Sequence, residues 1–216
     1  MSDVIIALTG KRQVGKSTIS NYLVEHYGFQ RLHPFNGGKA ACRAYYAHLG
    51  ADEQTAWRMT DGDLKDKPSP ILPIIQNPDH GQVGQHYDSR FFMETFGQFL
   101  GVNVGPDWTA GAELKLMRER NSGQPLRIIA ESIVYEEAVL RREGAFVIEV
   151  RAIGADHQAV KGLMTDAAMA SIIPDMVIDN IFSHDPADRE ALFDRIDGVL
   201  DQQFGIRTVE PEFASM

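Results

Sequence analysis

Short apolar segments alternate with longer amphipathic stretches along the chain. Brief, largely apolar segments are typical of strands buried in a parallel sheet, and they predict strands over 4–8, 29–32, 126–130, 146–150 and 176–178. Apolar residues recur at helical spacing between them, which predicts helices over 17–27, 39–49, 52–59, 88–101, 107–120, 135–142, 157–170 and 186–203. Strands that alternate with helices predict an α/β fold with a parallel sheet.

Three residues mark predicted helix ends. Gly28 follows the first helix, and glycine adopts the left-handed backbone of a C-cap without a steric penalty. Asp52 and Asp107 precede later helices, where a short carboxylate can accept hydrogen bonds from the first free backbone N–H groups. We therefore predict Gly28 as a C-cap, and Asp52 and Asp107 as N-caps.

The segment between the first strand and the first helix fits the P-loop (Walker A) pattern GxxxxGK[ST] without a mismatch. In this pattern, glycines let successive N–H groups turn inward, and the following helix N-terminus adds partial positive charge. We expect Lys16 to reach the β- and γ-phosphates of a nucleoside triphosphate and Ser17 to ligate Mg²⁺. The predicted ATP-binding loop comprises Gly10, Lys11, Arg12, Gln13, Val14, Gly15, Lys16, Ser17 and Thr18.

The composition of the chain restricts the kinds of partner that it can bind. The 216 residues are 44% hydrophobic and 24% charged, with a net charge of −9. This negative charge disfavours general binding to nucleic acid or to an anionic membrane. No apolar run approaches the roughly 20 residues of a membrane span. Cys42 is the only cysteine, which fits a core residue in a protein of the reducing cytoplasm.

Two regions after the first helix are candidate acceptor sites. Lys39 and Arg43 lie four residues apart on one predicted helix face, so they are candidate contacts for an acceptor phosphate, or else a solvated basic face. Residues 61–87 are rich in Pro, Gly, Asp and His and lack periodicity. A loop this long in a compact domain is usually functional or mobile. It is either an insertion near the acceptor site or a surface excursion.

Polar residues follow the later predicted strands. Glu131 comes directly after 126–130, at the end of a strand where α/β sheets bind ligands, and could hold Mg²⁺ or orient the acceptor. Arg151 follows 146–150, where a cation can contact phosphate or base, or form only a surface ion pair. Asp179 and Asn180 follow 176–178. Arg151 and Asn180 complete the predicted ATP-binding set.

Five segments together resemble the bacteriophage deoxynucleoside monophosphate kinases, within the wider nucleoside monophosphate kinase group. They are IIALTGKRQVGKST, PFNGGKAACRAYYAHLG, SRFFMETFGQFLGVNVGPDW, RIIAESIVYEEAVLRREGAFVIEVRAIG and PDMVIDN. The likeness extends from residue 3 to about 200. It implies the three-layer αβα fold of P-loop NTPases, an Arg90 that bridges the two phosphates, and Lys39, Arg43, Arg90, Trp108 and Glu131 as substrate-binding residues.

One departure from the family affects the acceptor. After the 126–130 strand the family usually shows Asp, a small residue and then Arg, whereas this chain has Glu131, Ser132 and Ile133. The bidentate phosphate contact of an arginine is missing. We therefore expect Ile133 to form an apolar pocket wall and the acceptor preference to differ from that of relatives.

These observations predict a single P-loop kinase domain over 1–216, with a lid or acceptor-site insertion at about 51–125. The predicted reaction transfers the ATP γ-phosphate to a deoxynucleoside 5′-monophosphate, with Mg²⁺ as cofactor and Lys16, Arg90 and Glu131 as catalytic residues. The expected location is the cytoplasm, that of the host if a phage encodes the chain. A homodimer is an open alternative to a monomer.

Three rival functions remain. The acceptor could be a modified nucleotide or a hydroxymethylated base in DNA, which the missing arginine motivates and the acidic charge weakens. Dephospho-coenzyme A kinase has a similar P-loop, but this chain lacks an Asp-containing strand end near residue 33. A non-catalytic nucleotide-binding regulator is disfavoured by the intact Lys16 and Ser17.

Overall fold

The computed structural model describes residues 2–153, 165–181 and 185–207. The strands are β1 (Val4–Thr9), β2 (Gln30–Leu32), β3 (Arg127–Ala130), β4 (Phe146–Ile153) and β5 (Met176–Ile181). The α-helices are α1 (Lys16–Tyr27), α2 (Asn36–His48), α3 (Glu53–Thr60), α4 (Ser89–Gln98), α5 (Ala110–Arg120), α6 (Glu137–Arg142), α7 (Thr165–Ala170) and α8 (Pro186–Phe204). Short 3₁₀ turns cover Pro78–His80 and Pro106–Trp108, and a π-helix covers Phe99–Val104.

The described residues form two compact units. Unit 1 contains those up to His33 and from Leu114 onward, and unit 2 is Pro34–Glu113. The prediction of one kinase domain with an insertion at about 51–125 stays a prediction.

Unit 1 is built on a five-stranded, wholly parallel sheet with the order β2-β3-β1-β4-β5. Its central strand β1 places Ile6 opposite Ile129 on one side and Phe146 on the other. Because β1 is apolar and buried almost throughout, helices can cover both faces of the sheet. The predicted α/β fold with a parallel sheet is confirmed.

Helices α1 and α8 share a buried core with the central strands. This core includes Ile6, Leu8, Ile19, Leu23, Ile148, Ile178, Leu192 and Ile196. The Tyr22 hydroxyl donates to both Asp197 carboxylate oxygens at 2.8 and 2.9 Å, and the Tyr27 hydroxyl donates to Asp197 Oδ1 at 2.7 Å. These bonds fix α8 against the helix that begins at the P-loop.

Unit 2 packs α2, α3 and α4 around its own core of Cys42, Tyr46, Ala56, Met59, Leu72 and Met93. Cys42 is thus the core residue that the sequence predicted. The Tyr46 hydroxyl and the Ser89 hydroxyl are 2.6 Å apart inside this core. Asp52 accepts from the backbone N–H of Thr55 and caps α3 as predicted.

Residues 61–87 form irregular but packed structure in unit 2. Backbone hydrogen bonds join Ser69 N–H to Tyr87 C=O, Ile75 N–H to Gln85 C=O and Tyr87 N–H to Pro73 C=O. Leu72 and Ile75 are buried. The segment satisfies its own backbone polar groups and contributes to a core, so it is an integral part of unit 2 and not a loose surface excursion.

Several predicted boundaries are wrong. Strands β4 and β5 continue to Ile153 and Ile181, so Arg151 and Asn180 lie inside strands and not after them. The apolar runs end earlier than the hydrogen-bonded ladder, because polar or charged residues follow them: Arg151 in β4, and Asp179 and Asn180 in β5. Of the predicted helix 157–170, residues 157–164 lie outside the described residues.

The predicted helix starting at Asp107 is also displaced. Asp107 lies in the 3₁₀ turn, and α5 begins at Ala110, so Asp107 is not its N-cap. Gly105, at φ +108°, separates the preceding π-helix from this turn, which begins at Pro106. Across the described ranges, no helix has the length and apolar character needed to cross a bilayer.

Candidate functional site: a phosphate loop and a cation cluster

The phosphate loop has the backbone geometry that its sequence predicts. Gly10 and Gly15 have φ angles of +124° and +97°, and Gln13 is also left-handed at 58°. A Cβ on Gly10 would lie 2.3 Å from the carbonyl oxygen of Val150, and one on Gly15 would lie 2.3 Å from Nδ2 of Asn180. Both positions therefore require glycine. Because α1 begins at Lys16, the helix N-terminus adds its partial positive charge directly beside the loop.

Lys16 lies across this loop. Its ammonium donates to the carbonyl oxygens of Gly10 and Lys11 at 2.7 and 2.6 Å. The pKa of Lys16 is lowered to about 8, mainly by burial; Glu131 opposes this shift and Arg12 contributes to it. A nearby phosphate would stabilise the ammonium form, so the loop favours an anionic ligand.

The other predicted loop residues differ in exposure. Ser17 is exposed on the first turn of α1, where its hydroxyl can reach a ligand, and Thr18 follows it, partly buried. Lys11 and Gln13 are exposed, whereas Val14 is buried in the unit 1 core. Any contact of Val14 with a nucleotide would therefore use its backbone.

Asn180 supports the loop from β5. It is buried, and its side-chain amide donates to the Val14 carbonyl oxygen at 2.9 Å. Through this hydrogen bond, Asn180 holds the phosphate loop in shape although it is distant from the loop in sequence. Direct contact of Asn180 with ATP stays a prediction.

Glu131 lies at the end of β3, as predicted. Its N–H donates to the Leu32 carbonyl oxygen at 3.0 Å. Its Oε1 is buried and lies 3.4 Å from Arg31 Nε, an ion pair without hydrogen-bond geometry, and no described residue gives this oxygen a hydrogen bond. Glu136 fixes the loop that follows, because its Oε2 accepts from Val134 N–H and Tyr135 N–H, both at 2.9 Å.

These residues fit a magnesium ion held largely by phosphates. A buried carboxylate oxygen without a hydrogen bond is a suitable cation ligand, and Ser17 offers a second oxygen. The described residues contain no group of three or more His, Cys, Asp or Glu side chains that could hold a metal. Mg²⁺ needs no such group, because it commonly binds through one or two protein ligands, substrate phosphates and water.

Ile133 is not a pocket wall, and the sequence-based expectation is wrong. The side chain is fully buried, its N–H donates to the Leu8 carbonyl oxygen at 3.1 Å, and its carbonyl accepts from the Thr9 hydroxyl at 3.4 Å. The chain thus turns back against β1 after Ser132, which has a left-handed backbone at φ 56°. An arginine at 133 would bury its charge in the core instead of facing a ligand.

Arg151 forms a surface ion pair. It is exposed on β4, and its guanidinium donates to the Glu149 carboxylate at 3.0 and 2.7 Å. This is the second of the two alternatives that the sequence left open. Its contact with ATP stays a prediction.

Unit 2 carries a second group of charges, which we call the cation cluster: Lys39, Arg43, Lys65 and Arg90, with Asp61 and Asp66. Lys39 Nζ and Arg43 NH1 donate to the two oxygens of Asp61 at 2.6 and 2.9 Å. Lys39 is buried, so the spacing of Lys39 and Arg43 does not mark a solvated face. Although burial opposes it, hydrogen bonds from Lys39 and Thr60 lower the pKa of Asp61.

Arg90 occupies the start of α4 in the same cluster. Its guanidinium makes a two-pronged contact with Asp66, and its NH1 lies 4.0 Å from Glu94. Its backbone N–H donates to the Lys65 carbonyl oxygen at 3.0 Å. Despite burial, Asp66 raises the pKa of Arg90 above its ordinary value. The planar guanidinium group of Arg90 is therefore charged, and its contact with Asp66 fixes its orientation.

Sequence reasoning missed Lys65. The pKa of this partly buried lysine is lowered to about 8, mainly by burial and also by the neighbouring Arg90 and Lys39. It lies in a segment without periodicity, which left no sequence signal for its proximity to Arg90 and Lys39. Trp108, in contrast, is 74% exposed in its 3₁₀ turn.

Comparisons with known proteins assign neither a family nor a function to this chain. No family model and no curated protein matches the chain. Among solved structures, TT1252 from Thermus thermophilus has 15% identity and a TM-score of 0.42, covering 94% of this chain and 99% of that chain. A sugar kinase from Janibacter sp. HTCC2649, solved unliganded, has 13% identity and a TM-score of 0.38, covering 95% of this chain and 99% of that chain. Similarity this low carries no functional argument, and the P-loop α/β fold is established by the chain's own parallel sheet and phosphate loop.

Proposed function

We propose that the protein transfers the γ-phosphoryl group of ATP to a deoxynucleoside 5′-monophosphate, producing the diphosphate. The observation that carries this proposal is the phosphate loop, with left-handed Gly10 and Gly15 and the Lys16 ammonium across it. The cation cluster of unit 2 supports a phosphate-bearing acceptor.

The donor side needs little covalent chemistry from the protein. Loop N–H groups and Lys16 bind the β- and γ-phosphates and stabilise the negative charge that moves during transfer. Ser17 and Glu131 would hold Mg²⁺, which neutralises phosphate charge when bound. Asn180 keeps the loop in shape through its bond to the Val14 carbonyl oxygen.

To bind and position the acceptor phosphate, the protein needs cationic side chains more than it needs a general base. A nucleoside monophosphate offers an oxygen that is already ionised at neutral pH, because the second phosphate pKa is about 6. Lys39 and Arg43 bind this phosphate, and Arg90 supports it with a bidentate contact. In such a mechanism positioning and charge neutralisation supply the rate enhancement.

One alternative acceptor is still supported by a specific feature of the sequence. The buried Ile133 gives the acceptor no phosphate contact in place of the arginine of the resembled family, so a modified deoxynucleotide remains the second candidate acceptor. A hydroxymethylated base within DNA is a weaker candidate because of the net charge of −9.

The test is an ATP-consumption assay with Mg²⁺ and a panel of ordinary and modified deoxynucleoside monophosphates, with product identity checked by ³¹P NMR. We expect stoichiometric formation of ADP and one or a few nucleoside diphosphates. The Lys16→Met variant serves as the inactive control. A folded protein that binds ATP but phosphorylates no member of the panel contradicts the proposal and favours a regulator.

A further inference from the structure

Lys65 is a charged group without a counter-ion of its own. It is partly buried, and among the described residues its ammonium has neither a hydrogen-bond acceptor nor an ion-pair partner within bonding distance. Its backbone carbonyl accepts from Arg90 N–H at 3.0 Å, so the segment that carries it is fixed to the start of α4. The ammonium is not fully enclosed, so an anionic ligand can reach it.

The neighbouring carboxylates do not supply this anion. Asp61 is hydrogen-bonded by Lys39, Arg43 and Thr60. Asp66 receives the Arg90 fork. Glu94 lies 4.0 Å from Arg90. The acids near the cluster are therefore engaged by other cations, and none of the described carboxylates pairs with the Lys65 ammonium.

We propose that Lys65 binds the phosphate of the acceptor, so that the cation cluster is a site for a phosphate monoester and not for an acceptor hydroxyl. This inference rests on the proposed function and extends it to the class of acceptor. A phosphate dianion offers the charge that the cluster lacks.

A hydroxyl acceptor would fit the cluster poorly. A hydroxyl brings no negative charge, and its attack requires a base that takes up the proton. Asp61 is a weak base here, because its bonds to Lys39 and Thr60 hold its pKa below the ordinary value despite burial. The two-pronged bond from Arg90 likewise engages Asp66. The cluster is therefore suited to binding a negatively charged group and not to removing the proton from a hydroxyl group.

The inference has a pH signature. Lys65 faces Arg90 from α4 and Lys39 from α2, together with Asp61 and Asp66 from its own segment. With its pKa near 8 in the free protein, Lys65 loses its proton above that pH. A bound dianion favours the ammonium form, so binding takes up a proton and weakens as the pH rises. A phosphate monoester keeps its charge across this range.

The experiment is calorimetric titration of methyl phosphate into the full-length protein, saturated with Mg²⁺ and a non-hydrolysable ATP analogue that blocks the phosphate loop. The variant is Lys65→Met, and the matched control is Lys67→Met. Lys67 lies two residues away, is exposed, and pairs with Asp63 at 3.3 Å. Thermal melting checks that both variants are folded.

We expect Lys65→Met to weaken methyl phosphate binding about tenfold at pH 7, as the loss of a charged hydrogen bond implies, and Lys67→Met to remain within about twofold. Affinity of the parent should fall between pH 7.5 and 9.5, whereas that of Lys65→Met should be flat. Unchanged affinity in folded Lys65→Met, or no binding by the parent, overturns the inference.

Failure of this inference is separable from failure of the proposed function. If the panel assay gives nucleoside diphosphates while Lys65→Met retains the acceptor KM of the parent, the kinase stands and Lys65 is not its phosphate ligand. If no panel member is phosphorylated but methyl phosphate binds through Lys65, the anion site stands and the kinase assignment fails.

Discussion

In the proposed function, the phosphate loop of unit 1 and the cation cluster of unit 2 bind a phosphate in two different ways. The loop uses backbone N–H groups, a helix N-terminus and two glycines whose side-chain space is occupied by Val150 and Asn180. These dipoles carry no ionisable proton and cannot pair with an acid elsewhere. The ionisable side chains proposed to act at the donor site are Lys16 and Glu131.

In the cation cluster, acidic side chains partly neutralise the charges of the cationic side chains. Lys39 and Arg43 share Asp61, and Arg90 contacts Asp66. Side-chain charges respond to salt and pH, whereas a backbone loop responds little. We therefore expect the backbone of the phosphate loop to be preformed and insensitive to pH. The charge on Lys16, like that on Lys65 in the cluster, should fall as the pH rises through about 8, because burial lowers the pKa of both lysines.

The strongest test of the donor half is Lys16→Met. This change removes the cation that stabilises charge on the transferred group, so turnover should fall on the order of 10³-fold or more. The fold should persist, because methionine can occupy the same space. Steady-state kinetics with a thermal melt measures both. Near-parental turnover in a folded variant would remove the loop from the mechanism.

Glu131→Gln tests the proposed role of Glu131 in holding Mg²⁺. The buried Oε1 remains similar in shape but loses its charge, so we expect turnover to fall roughly 100-fold while ATP affinity changes only a few-fold. The Mg²⁺ concentration for half-maximal activity should rise. Glu149→Gln is the matched control, since Glu149 is also partly buried and pairs with an arginine, but its carboxylate oxygens receive hydrogen bonds from Arg151. Equal effects of the two changes would contradict a specific role for Glu131.

Arg90→Lys tests whether the acceptor half needs a planar fork. A lysine retains the charge but not the bidentate contact, so kcat/KM should fall about 10- to 100-fold. Arg58→Lys is a close control, because Arg58 donates from Nε and NH2 to Asp63 at 2.7 and 2.9 Å in the same unit. Comparable losses in both variants would mean that Arg90 has only a structural role.

Sequence reasoning recovered the features whose determinants are contiguous. The P-loop lies within nine residues, and Gly28 was identified as the C-cap of α1, where it has φ 68° and donates to the Leu23 carbonyl oxygen. The spacing of Lys39 and Arg43 identified two residues that share Asp61. In each case the necessary geometry is set by one loop or one helix.

The errors have a common physical cause. Ile133 was misplaced because its burial depends on pairing with Leu8, more than a hundred residues away in sequence. The ends of β4 and β5 were missed because hydrophobic patterns report burial, whereas strands extend as far as the backbone ladder does. Lys65 was missed because irregular segments have no period from which neighbours can be inferred.

The smallest effect we predict concerns the stability of the acceptor half. Asp61→Asn removes the carboxylate that Lys39 and Arg43 share, and should lower the free energy of unfolding at pH 7 by about 1 kcal/mol after allowance for solvent screening. Because the pKa of Asp61 is lower in the folded protein, its contribution is fully present above the unfolded pKa near 4 and is lost as the pH falls through the folded value.

Urea unfolding of parent and Asp61→Asn between pH 7 and 3 measures this contribution, and the difference between the two proteins should shrink toward acidic pH. Asp63→Asn is the control, because Asp63 pairs with Arg58 and Lys67 but its side chain is 54% exposed. We expect a smaller loss there, since water screens exposed ion pairs. A pH-independent difference for Asp61→Asn would show that the carboxylate charge does not stabilise the cluster, and would remove the contrast between a pH-sensitive acceptor half and a backbone-built donor half.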